Sequence, residues 1–250
     1  MSRFQSAWQH AMSRMVGRIA NTAFPRPIMS LIIRAFASTY DIKLNDAELP
    51  ISEYTTLGQF FTRSLRPSLR PIASGPIVAP TDGTIIQTGP ITEGMAIQAK
   101  GKRYSVASLT GTTHHYSTFA TIYLSPSDCH RIFSPVDGKI VGSTYIHGCL
   151  YPVRHKQLES IPHLYCKNER LITHFETPNG RVTLVAVGAL NVGTLSTEYN
   201  PHQLPVDTHR GDWVTTFHLG STVVILCERP MGTPPLGTIR YGEALFTDLN

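Results

Sequence analysis

Apolar residues recur at steps of three and four at Phe4, Trp8, Met12, Met15, Val16 and Ile19, which predicts an amphipathic helix over residues 4–19. Pro25 and Pro27 break the pattern. A second apolar stretch, 29–36, predicts a short helix too brief to span a membrane. Leu57, Phe60 and Phe61, preceded by Pro50 and Ser52, predict a capped helix through roughly 53–64. From residue 77 the spacing becomes that of strands. Residues 77–85 read as strand, turn, strand around Asp82-Gly83, a pair suited to a tight hairpin. Short strands rich in β-branched and aromatic residues are predicted at 95–99, 118–124, 139–144, 171–176, 181–188 and 222–227. Residues 195–216 are polar and turn-rich, and are expected to form a mobile segment. Residues 229–237 should be irregular and 238–241 a last strand. Pro80–Ile85 and Pro135–Ile140 share the pattern P-x-D-G-x-I and suggest equivalent hairpin corners. The fold class expected is α+β, with N-terminal amphipathic helices on a mainly antiparallel β body.

Composition sharpens this picture in two places. A chain of 250 residues with 41% hydrophobic and 16% charged content can bury a core and is not disordered. The excess of 22 basic over 17 acidic residues is local. Arg3, Arg14, Arg18, Arg26 and Arg34 fall in residues 1–40, which hold no acid. That arrangement suits an anionic membrane surface, with residues 1–40 as a membrane-associating helical region and 41–250 as a single α+β domain. Packing of the same helix on its own domain is the competing reading. The chain lacks the basic stripe with interleaved aromatics that a nucleic-acid binder needs. Cys129, Cys149, Cys166 and Cys227 show no zinc spacing, and free thiols are the default. His114 and His115 read as a loop pair, and His147, His155, His163 and His174 are too irregularly spaced for a metal site. Arg63, Arg66 and Arg70 read as solvated surface or a phosphate contact.

Chemistry centres on Asp82, His130 and Ser221. Ser221 follows Gly220 at the entrance to an apolar strand. A serine becomes a nucleophile only when a base takes its proton, and a carboxylate can orient that base. Composition alone gives such a triplet little weight.

Order gives it more. TTLGQFFTRSLRPSLRPI (55–72), APTDG (79–83), AKGKRYSV (99–106), TFATIYLSPSDCHR (118–131), YPV (151–153), NERLI (168–172), VGALNVGTL (187–195) and FHLGST (217–222) follow one another along the chain. In this series the chain resembles the phosphatidylserine decarboxylases, pyruvoyl-dependent lipid enzymes, over residues 10–245. The resemblance implies self-cleavage between Gly220 and Ser221. Ser221 Oγ would attack the Gly220 carbonyl, and elimination and hydrolysis would leave a pyruvoyl group derived from Ser221 as covalent cofactor. The amine of phosphatidylserine would condense with it as a Schiff base, lose CO2 and leave as phosphatidylethanolamine. By the same resemblance His130 handles the substrate carboxylate or a proton, Asp82 belongs to the processing triad, and Thr81, Asn191, Thr194 and Thr222 line the site. Implied partners are phosphatidylserine, an anionic membrane at the cytoplasmic face of the cell membrane, and the chain's own β and α fragments held together non-covalently. A homodimer stays open.

The sequence departs from that family where processing is concerned. The family's HRxHxP reads His130-Arg131-Ile132-Phe133-Ser134-Pro135 here, so Phe133 stands where a processing histidine is expected, and Cys129 replaces a tyrosine. The stretch 211–217 also lacks a family Glu and Gly. His130, His218 or His115 could serve as the base if folding brings it near Ser221. Slow processing, or an unprocessed, inactive relative with a lipid-binding or structural role, remains the alternative. Ser221 is expected on a pocket that opens on the same side as the apolar helical face.

Overall fold

The computed structural model describes residues 3–189, 195–218 and 221–248, without side-chain detail for 3–10 and 155. Helix α1 (Arg3–Ala20) leads into α2 (Arg26–Tyr40), which is longer than the predicted 29–36. Pro27 sits in the first turn of α2, where a missing N–H costs nothing. Met29, Ile33 and Ala37 form the buried face of α2 and pack with Tyr54 and Phe60. The opposite side is bare, with Leu31 69% and Ile28 49% exposed. On α1, Met15 and Ile19 are likewise exposed, whereas Ser13 and Ala20 are buried. Helix α3 (Leu57–Phe61) is shorter than the predicted 53–64. Its cap is Thr56, whose hydroxyl accepts from Gln59 N at 3.1 Å, because residues 51–53 close a separate 3-10 turn after Pro50.

The β body follows in chain order. It contains β1 (Ile77–Val78), β2 (Gly83–Pro90), β3 (Met95–Ala99), β4 (Lys102–Ser105), helix α4 (Val106–Thr110), β5 (Thr118–Leu124), β6 (Arg131–Phe133) and β7 (Gly138–Ile146). Helices α5 (His155–Ser160) and α6 (Leu164–Lys167) precede β8 (Arg170–Thr177) and β9 (Gly180–Gly188). Then come β10 (Leu195–Thr197), β11 (Val206–Thr208), β12 (Trp213–Phe217), β13 (Ser221–Cys227), β14 (Gly237–Ile239) and β15 (Ala244–Phe246). The fold is α+β, and its main sheet is antiparallel throughout, in the order β11-β7-β8-β9-β13-β5-β2-β14.

All seven residues of β13 are buried, with β9 on one side and β5 on the other. That explains its unbroken apolar run: both faces are covered, so no polar alternation is needed. A smaller sheet, β10-β12-β6, contributes Ile132, Val214 and Phe217 to the same core.

Two expectations are corrected. Residues 77–85 are not a hairpin, since β1 pairs with β15 and β2 with β5 and β14. Gly83 is needed for close passage, because a Cβ there would lie 2.5 Å from Tyr123 O. Gly138 passes the Glu176 carbonyl in the same way, so the repeated D-G marks two strand entrances set side by side, tied by Val78 N to Pro135 O at 2.9 Å. Residues 195–216 hold β10, β11 and most of β12. Their polar, Thr-rich character reflects short strands paired at the margins of the body.

Candidate active site

Ser221 opens β13, directly opposite Leu124 of β5 and Gly188 of β9. Directly opposed residues in an antiparallel ladder share a face, so Ser221 points to the side of Leu124, and Thr222 to the side of Tyr123. Ser221 is fully buried, and among the described residues its Oγ has no hydrogen-bond partner. This corrects the expectation of a serine on an open pocket: in the uncleaved chain the hydroxyl lies inside the core. Thr222 is equally buried, and its Oγ1 is also without a partner among the described residues.

His130 comes to the same end of the sheet, between β5 and β6, where its carbonyl accepts from Phe217 N at 2.9 Å. Its ring packs on Phe61 with centroids 4.0 Å apart. Nδ1 lies 3.0 Å from Asp128 O, a carbonyl that can only accept, so Nδ1 carries the proton. Nε2 is left as a bare lone pair, buried and without a partner among the described residues. Burial lowers the pKa of His130 to about 3, so the ring is neutral at physiological pH.

Asp82 stands just ahead of β2, on the other flank of β5. Its carboxylate accepts from Arg70 Nε at 2.9 Å, from Arg70 Nη2 at 2.6 Å and from Tyr241 N at 2.9 Å. The group that orients Asp82 is therefore an arginine and not a histidine. Arg63 and Arg70 are both buried, which overturns the solvated-surface reading for those two, whereas Arg66 is exposed as that reading expects. Thr81 is buried beside them, with Oγ1 donating to Cys129 O at 3.2 Å. A polar cavity of about 160 Å³ reaches Asp82 from the side of α2, bounded by Lys43, Arg63, Arg70, Asp128 and Arg240.

Phe133 of β6 stacks on Tyr241 at 4.0 Å. Cys129 is buried with Sγ 3.7 Å from Arg63 O, and burial pushes its thiol up to about 11. His218 Nε2 lies 3.3 Å from Ser196 Oγ, and burial lowers its pKa. His115 is exposed before β5, whose Thr118 pairs with Cys227. Ser221 is at the far end of that ladder, so His115 is not brought to it. Gly220, Asn191 and Thr194 lie outside the described residues.

One carboxylate in this region carries no role in the sequence reading. Glu169 is 3% exposed and leans over Gly188, where a Cβ would lie 3.1 Å from its Cγ and 3.4 Å from its Oε1. Its place in one row with Ser221, across Gly188, arises from strand register. The available signals were an acid immediately before an apolar strand and a glycine at the end of another.

The profile of the phosphatidylserine decarboxylase family matches residues 57–247. The chain belongs to the phosphatidylserine decarboxylase family. It is similar to the phosphatidylserine decarboxylase proenzyme of Brevibacillus brevis, at 43% identity over 96% of this chain and 94% of that one. The proenzymes of Acidovorax ebreus and Anaeromyxobacter sp. are each 37% identical, over 95% and 88% of this chain and 93% and 86% of theirs. The family match spans Ser221, His130, Asp82 and Glu169 and begins after α1 and α2, where Met15, Ile19, Ile28 and Leu31 are exposed. No helix among the described residues is long and apolar enough to cross a membrane.

Proposed function

We propose that the chain is a phosphatidylserine decarboxylase proenzyme that cleaves itself between Gly220 and Ser221, leaving a pyruvoyl group at Ser221, and then converts phosphatidylserine to phosphatidylethanolamine. The observation that carries this reading is the buried, unpartnered Ser221 Oγ at the head of a central strand, with the bare His130 Nε2 at the same end of the sheet. An isolated hydroxyl in a core costs about 1–3 kcal/mol, and such a loss at the serine of the LGST motif suits an atom reserved for chemistry. The residues also suit the group expected there. A ketone beside an amide carbonyl condenses with a primary amine and takes up the electrons released when CO2 leaves, which no ordinary side chain does. His130, neutral and with its Nδ1 proton fixed on Asp128 O, presents Nε2 as a lone pair that can hold a proton or orient a substrate hydrogen-bond donor. The Arg70–Asp82 pair holds the Tyr241 backbone and so fixes the floor beneath Phe133.

Lipid access follows from the N-terminal helices. Met15, Ile19, Ile28 and Leu31 are exposed beside Arg14, Arg18, Arg26 and Arg34, a composition that favours peripheral attachment to an anionic bilayer, here assigned to the cytoplasmic face of the cell membrane. The polar cavity at Asp82 borders residues 41–46, which follow α2.

A second reading, an uncleaved lipid-binding relative, rests on Phe133. Intact-mass analysis of purified protein separates the two. Two fragments divided before residue 221, the smaller with a borohydride-reducible carbonyl, are expected. A single 250-residue chain after prolonged incubation with vesicles overturns the proposal. Release of CO2 from serine-headed lipid vesicles tests the substrate independently.

A further inference from the structure

Self-cleavage requires a group that removes the Ser221 Oγ proton, and the three side chains at the family's processing and catalytic positions are poorly placed. Phe133 has no acceptor, Asp82 is held by Arg70 two strands away from β13, and the His130 ring is turned onto Phe61. Glu169 is differently situated. Gly188 N donates to Glu169 O at 2.9 Å, which extends the β8–β9 ladder by one pair beyond Arg170 and Val187. Glu169, Gly188 and Ser221 therefore form one row across β8, β9 and β13, with their side chains on one face. The middle position has no side chain, and the Glu169 carboxylate occupies that gap. Since opposed Cβ atoms lie roughly 4.5–5.5 Å apart, the carboxylate is within about 9 Å of the Ser221 Cβ.

The platform beneath it is rigid. Asn168 Nδ2 donates to Gly188 O at 2.8 Å and to Tyr151 O at 2.9 Å, while Glu169 N donates to Cys149 O at 2.9 Å. The Tyr145 phenol hydrogen-bonds the carboxylate from the outer side.

We propose that Glu169 is the proton acceptor of self-cleavage in this chain, in the role that Phe133 cannot fill. This rests on the self-cleavage proposed above. As the Oγ–carbonyl bond to Gly220 forms, the Oγ proton passes through one bridging water to the Glu169 carboxylate. As the Gly220–Ser221 C–N bond breaks, the same proton passes to the departing amine nitrogen, so the carboxylate ends the ester-forming step ionised.

The test is a time course of chain cleavage in Glu169→Gln, followed by intact mass and not by decarboxylase activity. Loss of a general base predicts cleavage slower by ~100-fold or more. Glu169→Asp should cleave at an intermediate rate, and Glu169→Gln/Phe133→His should recover part of the lost rate by restoring a base at the other position. Cleavage of Glu169→Gln at the wild-type rate overturns the role alone. So does a folded Glu169→Gln, judged by circular dichroism, that the second substitution fails to rescue. A wild-type chain that never cleaves overturns the proposed function and this role together.

Discussion

Phe133 lies against Tyr241 with ring centroids 4.0 Å apart and planes 20° from parallel, and the backbone N–H of Tyr241 donates to Asp82. The phenyl ring thus stacks on the residue whose backbone N–H holds Asp82. A carboxylate has about four lone-pair sites, and Asp82 uses three, so one remains. An imidazole fits the same stack and adds an acceptor. Phe133→His is expected to cleave faster than wild type, by ~10-fold or more, read as the half-time of fragment appearance. An unchanged half-time would show that position 133 does not limit processing.

Arg70 and Asp82 form a buried, bidentate pair with side chains 7% and 10% exposed. Removing one partner leaves the other charge desolvated and unpaired, which typically costs about 3–5 kcal/mol. Arg70→Met should lower the urea midpoint accordingly, a large fraction of a domain's stability. Arg70→Met/Asp82→Asn should recover part of the loss, because neither charge remains. A single variant as stable as wild type would show that the pair is not desolvated.

Acid sensitivity follows from His130. In the unfolded chain it takes a proton near 6.5, but in the folded protein burial holds it neutral down to about 3. The unfolded state therefore binds more protons between those values. Its contribution to stability is fully present above 6.5 and falls away as pH drops, by at most about 1.4 kcal/mol per pH unit. His130→Gln cannot titrate, so its urea midpoint should depend less on pH between 4.5 and 6.5. Parallel curves for the two proteins would contradict the assignment of a neutral buried imidazole.

On α2, Leu31 and Ile33 test surface against core within one turn. Leu31 is 69% exposed and Ile33 fully buried. Leu31→Ser should leave thermal unfolding within a degree or two while weakening co-sedimentation with anionic vesicles about tenfold, the value of roughly 1–2 kcal/mol of apolar burial. Ile33→Ser should instead destabilise the fold by about 2–5 kcal/mol. Equal vesicle binding by wild type and Leu31→Ser would remove this face from the lipid contact.

These elements differ in how readily their sequence announces them. Strand β5 was legible to the residue, and β9 and β13 to within one, because long apolar runs with both faces covered leave few alternatives; β3 was legible to the residue although it belongs to a two-stranded sheet with Ile97 exposed. Strands β10 to β12 were not, since Thr-rich segments of three to five residues carry no period long enough to separate from loop. Ser221, His130 and Asp82 emerged from motif order. Their partners did not, because Arg70 meets Asp82 through a turn of irregular chain, and Glu169 meets the row of Ser221 only once three strands are in register.

Gly188 ties that register to chemistry. It ends a strand of which 182–187 are all buried, and its bare α-carbon is what lets the Glu169 side chain lean over the position opposite Ser221. Gly188→Ala places a methyl 3.1 Å from Glu169 Cγ, closer than carbon atoms pack at ease, so the carboxylate must withdraw by a few tenths of an ångström. Over-packing of this kind costs about 1–3 kcal/mol and leaves the strand pairing intact. The variant should keep its circular dichroism spectrum, lose that much stability in urea, and cleave at least tenfold more slowly than wild type. Wild-type cleavage with the expected loss of stability would show that the gap serves packing and not proton transfer.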